Sequence, residues 1–199
     1  MKNQSLEHIK MLTLSKTNQI IIGVILAALI LITRGDHFAS LNNLPSASLA
    51  AFFLAGFYLR PKWIFGALLA LCVAIDFYVI TFNGVSSFCV TPSYAFLLPA
   101  YGVLWLAGRW FNGKYSFSAK ALLPLVGSVA IAAMISELFS SGGFYFFGGR
   151  FTDPTIAEFG ERLMKYFPQQ LEGIGFWLSA ALIVHIVLAY LNNSHHVKA

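Results

Sequence analysis

The chain has 199 residues and a formal net charge of +5, with 58% hydrophobic, 16% aromatic and only 11% charged residues. Soluble domains carry about 25% charged residues, so this chain lacks the polar side chains to cover a water-facing surface of its size. That argues against a soluble enzyme, a disordered segment and, despite the positive sign, a nucleic-acid-binding domain. It points to an integral membrane protein.

Six apolar runs follow in chain order. They are Ile20–Thr33; about Ser46–Leu59, after Leu44-Pro45 and before Arg60-Pro61; Trp63–Phe82, interrupted by Asp76; Pro92–Trp110; Ala121–Phe139; and about Leu171–Leu191. A helix needs about 20 residues to cross the hydrocarbon, so the shorter runs must extend into their flanks. None alternates with period two, which excludes barrel strands and leaves helices. The expectation is one all-α membrane domain of six transmembrane helices over residues 20–191, with a leader 1–19 and a tail 192–199. The first run has the basic leader and length of a signal-peptide core. Thr33-Arg34-Gly35-Asp36 offers no small-x-small cleavage pattern, so the run is expected to be retained.

Basic residues set the orientation, since they collect on the cytoplasmic side. Lys2, Lys10, Lys16, Arg60, Lys62, Arg109, Lys114, Lys120 and Lys198 fall on one side, against Arg34, Arg150, Arg162 and Lys165 on the other. Nine against four places both termini in the cytoplasm. Arg34–Leu44, Asn83–Thr91 and Ser140–Pro168 then face outward. The last stretch holds Gly142-Gly143-Phe144-Tyr145-Phe146-Phe147-Gly148-Gly149, read as an aromatic loop. It suits either a cover over a flat ligand or an interfacial aromatic belt.

Few residues carry chemistry. Asp76 is the carboxylate well inside a span, where a charge costs roughly 2.5–3.5 kcal/mol to insert; it faces a cavity or serves a structural hydrogen bond. Glu137 sits near the outer end of the fifth span, within reach of interfacial water. Cys89 precedes Thr91-Pro92, residue types suited to a helix start. A thiolate there gains from the helix dipole and is a soft metal ligand or nucleophile; an inert small residue is the alternative. Cys72 lies at a different depth, so a bridge between the two is not expected. His37 is a competing ligand on the same face, and His195-His196 in the tail read as solvated. No nucleotide-binding loop or hydrolase triad order is present. Ala47, Ala51 and Ala55, with Gly23 and Ala27, have the small-residue spacing of close helix packing, within the chain or onto a partner.

The stretches Thr33–Ser40, Phe52–Pro61 and Gly84–Tyr101, with the block from Asp76 to Tyr101 the most specific, resemble the BtuM family of bacterial cobalamin transporters. That family is similar to the substrate-binding S-components of energy-coupling-factor transporters. The resemblance implies an S-component-like fold in the bacterial inner membrane, with cobalamin in an outward-facing pocket. It implies Cys89 as the ligand to the corrinoid cobalt, with Asp76, Tyr94 and Arg162 at the pocket, and an energising module as partner. Phe144 and Tyr145 of the aromatic segment would close over the ligand. Displacement of a cyanide ligand by the Cys89 thiolate would make the carrier a processor of cyanocobalamin as well. Asp36 beside His37 departs from the more basic pair of that family. Two other readings stay open: an S-component-like carrier for another vitamin or a transition metal, and a small membrane enzyme with Cys89 as nucleophile. A ligand-free structural or assembly protein is a third.

Overall fold

The structure is a computed structural model that describes residues 14–34, 44–84 and 86–196, and for Cys89 and residues 190–196 the backbone alone. Among these residues it is helical throughout, with no strand. The elements are α1 (Lys16–Arg34), α2 (Ser48–Tyr58), α3 (Trp63–Phe82), α4 (Leu97–Asn112), α5 (Leu122–Glu137), α6 (Gly143–Phe147) and α7 (Ile156–His196). Four helical stretches are long and apolar enough to cross a bilayer: Lys16–Arg34, Trp63–Phe82, Ala119–Phe147 and Ile156–Ala189. The chain is thus a helical, membrane-embedded protein. The second expected span is far shorter than a crossing helix: α2 has 11 residues, about 16 Å at roughly 1.5 Å per residue.

That short helix is the centre of the molecule. Phe52, Phe53 and Ala55 have essentially no exposure, and Ala47 and Ala51 are equally buried. A helix apolar on every side is stable only when surrounded. Two glycines bring α4 against it: a Cβ on Gly56 would lie 2.0 Å from the Trp105 carbonyl oxygen, and one on Gly108 would lie 2.0 Å from that of Phe53. On the other flank, α1 approaches at Gly23, 3.8 Å from Leu59 as measured from a Cβ built there. The alanine stripe is therefore consumed by packing within the chain and presents no surface to a partner.

The end of α1, the start of α2 and the later turns of α3 meet through Arg34, which gives the molecule two ends. At one end the Arg109 guanidinium donates to the Arg60 carbonyl (3.2 Å) and Asn112 Nδ2 donates to the Phe57 carbonyl (2.7 Å). Lys16, Arg60, Lys62, Arg109, Lys114 and Lys120 gather there with no acid among the described residues. Asp76, Glu137, Asp153, Glu158, Glu161 and Glu172 all lie toward the other end. At that end Trp177 Nε1 donates to the Pro45 carbonyl (2.8 Å), fixing α7 beside the start of α2.

The expected loop Ser140–Pro168 is mostly helix. Leu138–Gly142 forms a π-helical turn that carries α5 into α6, and α7 starts at Ile156 and runs for 41 residues with Pro168 inside it. Only Gly148–Thr155 is irregular. The glycine pair read as a loop signal serves close packing: a Cβ on Gly143 would meet the Phe96 ring at 2.6 Å, and one on Gly142 would meet Phe159 at 3.3 Å.

Candidate functional site

Asp76 sits on α3 with its carboxylate gripped by Arg34 from the end of α1. Arg34 Nε donates to Oδ1 at 2.7 Å and Nη2 to Oδ2 at 2.6 Å, the two-pronged geometry that a planar guanidinium favours. The remaining nitrogen, Nη1, donates to Tyr101 Oη (2.7 Å) and Ser48 Oγ (3.2 Å). Tyr94 adds a donated hydrogen bond to Asp76 Oδ2 at 2.6 Å. Four elements thus converge on one charge pair: α1, α2, α3, and α4 with the turn before it. Tyr101 in turn stacks on Phe52 at 4.3 Å between centroids, which couples the polar cluster to the α2 core.

This cluster forms one wall of a cavity of about 500 Å³. Val79, Ile80, Val90, Leu97 and Phe144 make its apolar walls, and Ser86, Ser93, Ser140 and Ser141 supply hydroxyls. The charges cancel within the Arg34–Asp76 pair, so the cavity is neutral, mainly apolar with a polar wall. Glu137 stands behind it, buried, with Ser141 Oγ donating to its carboxylate. Its expected reach to interfacial water is therefore replaced by a contact inside the protein. Ser140 and Ser141 belong to the π-helical turn, a deviation found often at functional sites.

Cys89 ends the single 3₁₀ turn Ser87–Cys89. The residues that flank this turn, Ser86 and Val90, line the cavity, so the turn borders it; the Cys89 side chain lies outside the described residues. Arg150 holds this turn. Its Nε donates to the Phe88 carbonyl (3.1 Å), its guanidinium lies 5.1 Å from the Phe88 ring centre, and Phe88 meets Phe144 edge to face at 5.7 Å. The helix start expected after Cys89 is weaker than its Thr-Pro signal implies. Pro92–Phe96 is a short 3₁₀ segment without a side-chain cap from Thr91, and the α-helix proper begins at Leu97. The dipole available to the thiol is correspondingly small.

Of the residues singled out in the sequence, Asp76, Tyr94, Phe144 and the Cys89 turn come together. Tyr145 and Arg162 do not line the cavity. Tyr145 is buried behind it, donating to Glu158 Oε2 (2.8 Å) and accepting from the Thr155 N–H (3.1 Å). Arg162 lies over the Phe151, Tyr145 and Tyr166 rings at 4.8, 5.6 and 5.9 Å. The two stitch α6 to α7. His37 and Asp36 fall outside the described residues, as do residues 1–13 of the leader, and the side chains of His195 and His196 are likewise outside. Among the described residues no group of three His, Cys, Asp or Glu side chains is placed to hold a metal ion.

Arg34, Tyr101 and Ser48 are site residues that the sequence reading missed. Arg34 counts there only as a loop charge, yet one basic residue ending an apolar span and one acid inside another are natural partners. Tyr101 follows Tyr94 by seven residues, two helical turns, and so shares its face. No protein-family model and no curated protein matches the chain, so the reading of this cavity rests on its own geometry and on the resemblance in the Asp76–Tyr101 block.

Proposed function

We propose that the chain is an S-component-like carrier of the bacterial inner membrane, with six membrane-associated helices and both termini cytoplasmic, that binds cobalamin or a related corrinoid and moves it inward. One observation carries the reading: the turn that bears Cys89 is flanked by Ser86 and Val90, which line a largely apolar cavity anchored by the Arg34–Asp76–Tyr94 cluster. The cavity opens at the end opposite the basic residues, hence outward by the distribution of Lys and Arg. In this reading Tyr94, Ser86 and Ser93 meet the polar edge of the ligand, Val79, Leu97 and Phe144 meet its apolar face, and Cys89 reaches the cobalt. Binding is a ligand exchange without redox: the thiol gives up its proton, sulfur bonds to cobalt, and cyanide leaves carrying a proton. An energising module would supply the work of reorientation.

A corrinoid is larger than a cavity of about 500 Å³, so in this reading the cavity must widen to admit it. The volume itself favours a second reading, a smaller vitamin bound in the same place. Purification after growth with cyanocobalamin separates the two. The expected result is coloured protein whose absorption differs from free cyanocobalamin, with the difference lost in Cys89→Ala. Colourless protein that binds no added corrinoid overturns the corrinoid assignment, and a spectrum unchanged by Cys89→Ala overturns cobalt ligation by Cys89.

A further inference from the structure

A second cavity, also about 500 Å³, lies at the basic end between α2, α4, α5 and α7. Its wall is built from apolar side chains such as Phe53, Phe57, Phe111, Leu125, Leu178 and Ala181. Inside it, His185 bridges two tyrosines, with Nδ1 3.0 Å from Tyr58 Oη and Nε2 2.6 Å from Tyr115 Oη. A neutral imidazole offers one N–H and one lone pair. One tyrosine therefore donates to His185, while the other accepts from it and keeps its own O–H. A doubly protonated ring would leave both hydroxyl protons spare. In either state at least one hydroxyl donor at the cavity has no acceptor among the described residues.

The mouth indicates what that donor meets. Phe117, Leu122 and Ile186 line the cavity yet are 66%, 47% and 48% exposed, so it opens sideways through an apolar rim. A rim of this kind faces lipid chains rather than water. Tyr115–Ala119, every residue of which lines the cavity, is flanked by Lys114 and Lys120, both exposed. No acid lies at this end among the described residues. Apolar chamber, spare hydroxyl donor and cationic edge follow one another from inside to outside, which is the order of acyl chain, ester and phosphate in a glycerophospholipid.

We infer that this cavity is a binding site for an anionic glycerophospholipid from the adjacent leaflet, with one acyl chain in the chamber, an ester carbonyl accepting from Tyr58 or Tyr115, and the phosphate beside Lys114 and Lys120. The site shares no residue with the corrinoid cavity and does not depend on that reading. Native mass spectrometry of the full chain, with phosphatidylglycerol and phosphatidylcholine of identical chains, tests it. Wild type should retain phosphatidylglycerol about tenfold better, somewhat less than two fully effective surface lysines would give. Lys114→Gln with Lys120→Gln should bring the two lipids to parity, and Ala181→Phe, which fills the chamber, should lose both. Should Ala181→Phe fail to fold, Ser118→Glu at the exposed rim should invert the preference. Equal retention of both lipids by wild type, a preference unmoved by the lysine changes, or displacement of the lipid by glycerol 3-phosphate alone would overturn the assignment.

Discussion

The two cavities are of equal volume and opposite design. The one at the acidic end is walled by an ion pair whose hydrogen bonds cross four elements, and its polar groups come from α1, α3, the segment leading into α4 and the π-helical turn. The one at the basic end is apolar, with its polarity confined to His185 and two tyrosines and its charge left outside on lysines. The same short α2 forms part of both structures, giving Ser48 to the first and Phe53, Leu54, Phe57 and Tyr58 to the second. Charge within a membrane protein is tolerated where it is paired and lines a cavity. The comparison teaches that polarity here is gathered at one cavity while the other is left largely apolar.

The contrast is tested hardest at the ion pair. Asp76→Ala strands the Arg34 guanidinium, mostly buried, with only Ser48 and Tyr101; a loss of about 3 kcal/mol is expected, the lower end for a broken buried pair because Asp76 keeps contact with the cavity. Thermal unfolding in detergent measures it. Arg34→Met with Asp76→Leu should restore most of that stability while still losing ligand. A double variant as unstable as Asp76→Ala would show that the pair is structural. Next comes Gly108→Ala, whose methyl would overlap the Phe53 carbonyl. It should cost about 2 kcal/mol by forcing α2 from α4, and it should weaken ligand binding at both ends, which a local effect would not. Tyr94→Phe removes one hydrogen bond to a carboxylate and should cost about 1.5 kcal/mol, with ligand affinity falling by calorimetry and the lipid site unaffected. Smallest is Tyr115→Phe, at about 1 kcal/mol for one neutral bond; phospholipid retention should fall while corrinoid binding is unchanged.

Legibility in the sequence followed local signals. The third run, Trp63–Phe82, matches α3 at both ends, because Arg60-Pro61 precedes it and Asn83-Gly84 ends it, with Gly84 at φ +67°. The start of α7 was also written in the sequence, as Thr155-x-x-Glu158. Thr155 Oγ1 accepts from the Glu158 N–H at 3.2 Å, the capping pattern of a helix N-terminus. Gly142-Gly143 read as a loop instead, since close approach to Phe96 and Phe159 is a tertiary fact that a glycine pair does not announce. The shortness of α2 was illegible for a similar reason: a run apolar on every side reads alike whether lipid or protein surrounds it. At the site, Asp76 and Cys89 stood out as types at positions, and Tyr94 entered only through the resemblance. Arg34 did not, because its partner is 42 residues away and only folding brings them together.

The Arg34–Asp76 pair also bears on how the chain enters the membrane. Helices leave the ribosome one after another, so α3 arrives with its carboxylate after α1 has arrived with its guanidinium. Alone, each charge opposes partition into lipid. Side by side, they enter as one neutral unit. Insertion of α3 should therefore depend on α1, and glycosylation mapping of α3 with and without an Arg34→Ala change upstream would read that dependence directly. The contact that walls the cavity in the finished protein is then also a checkpoint during its synthesis.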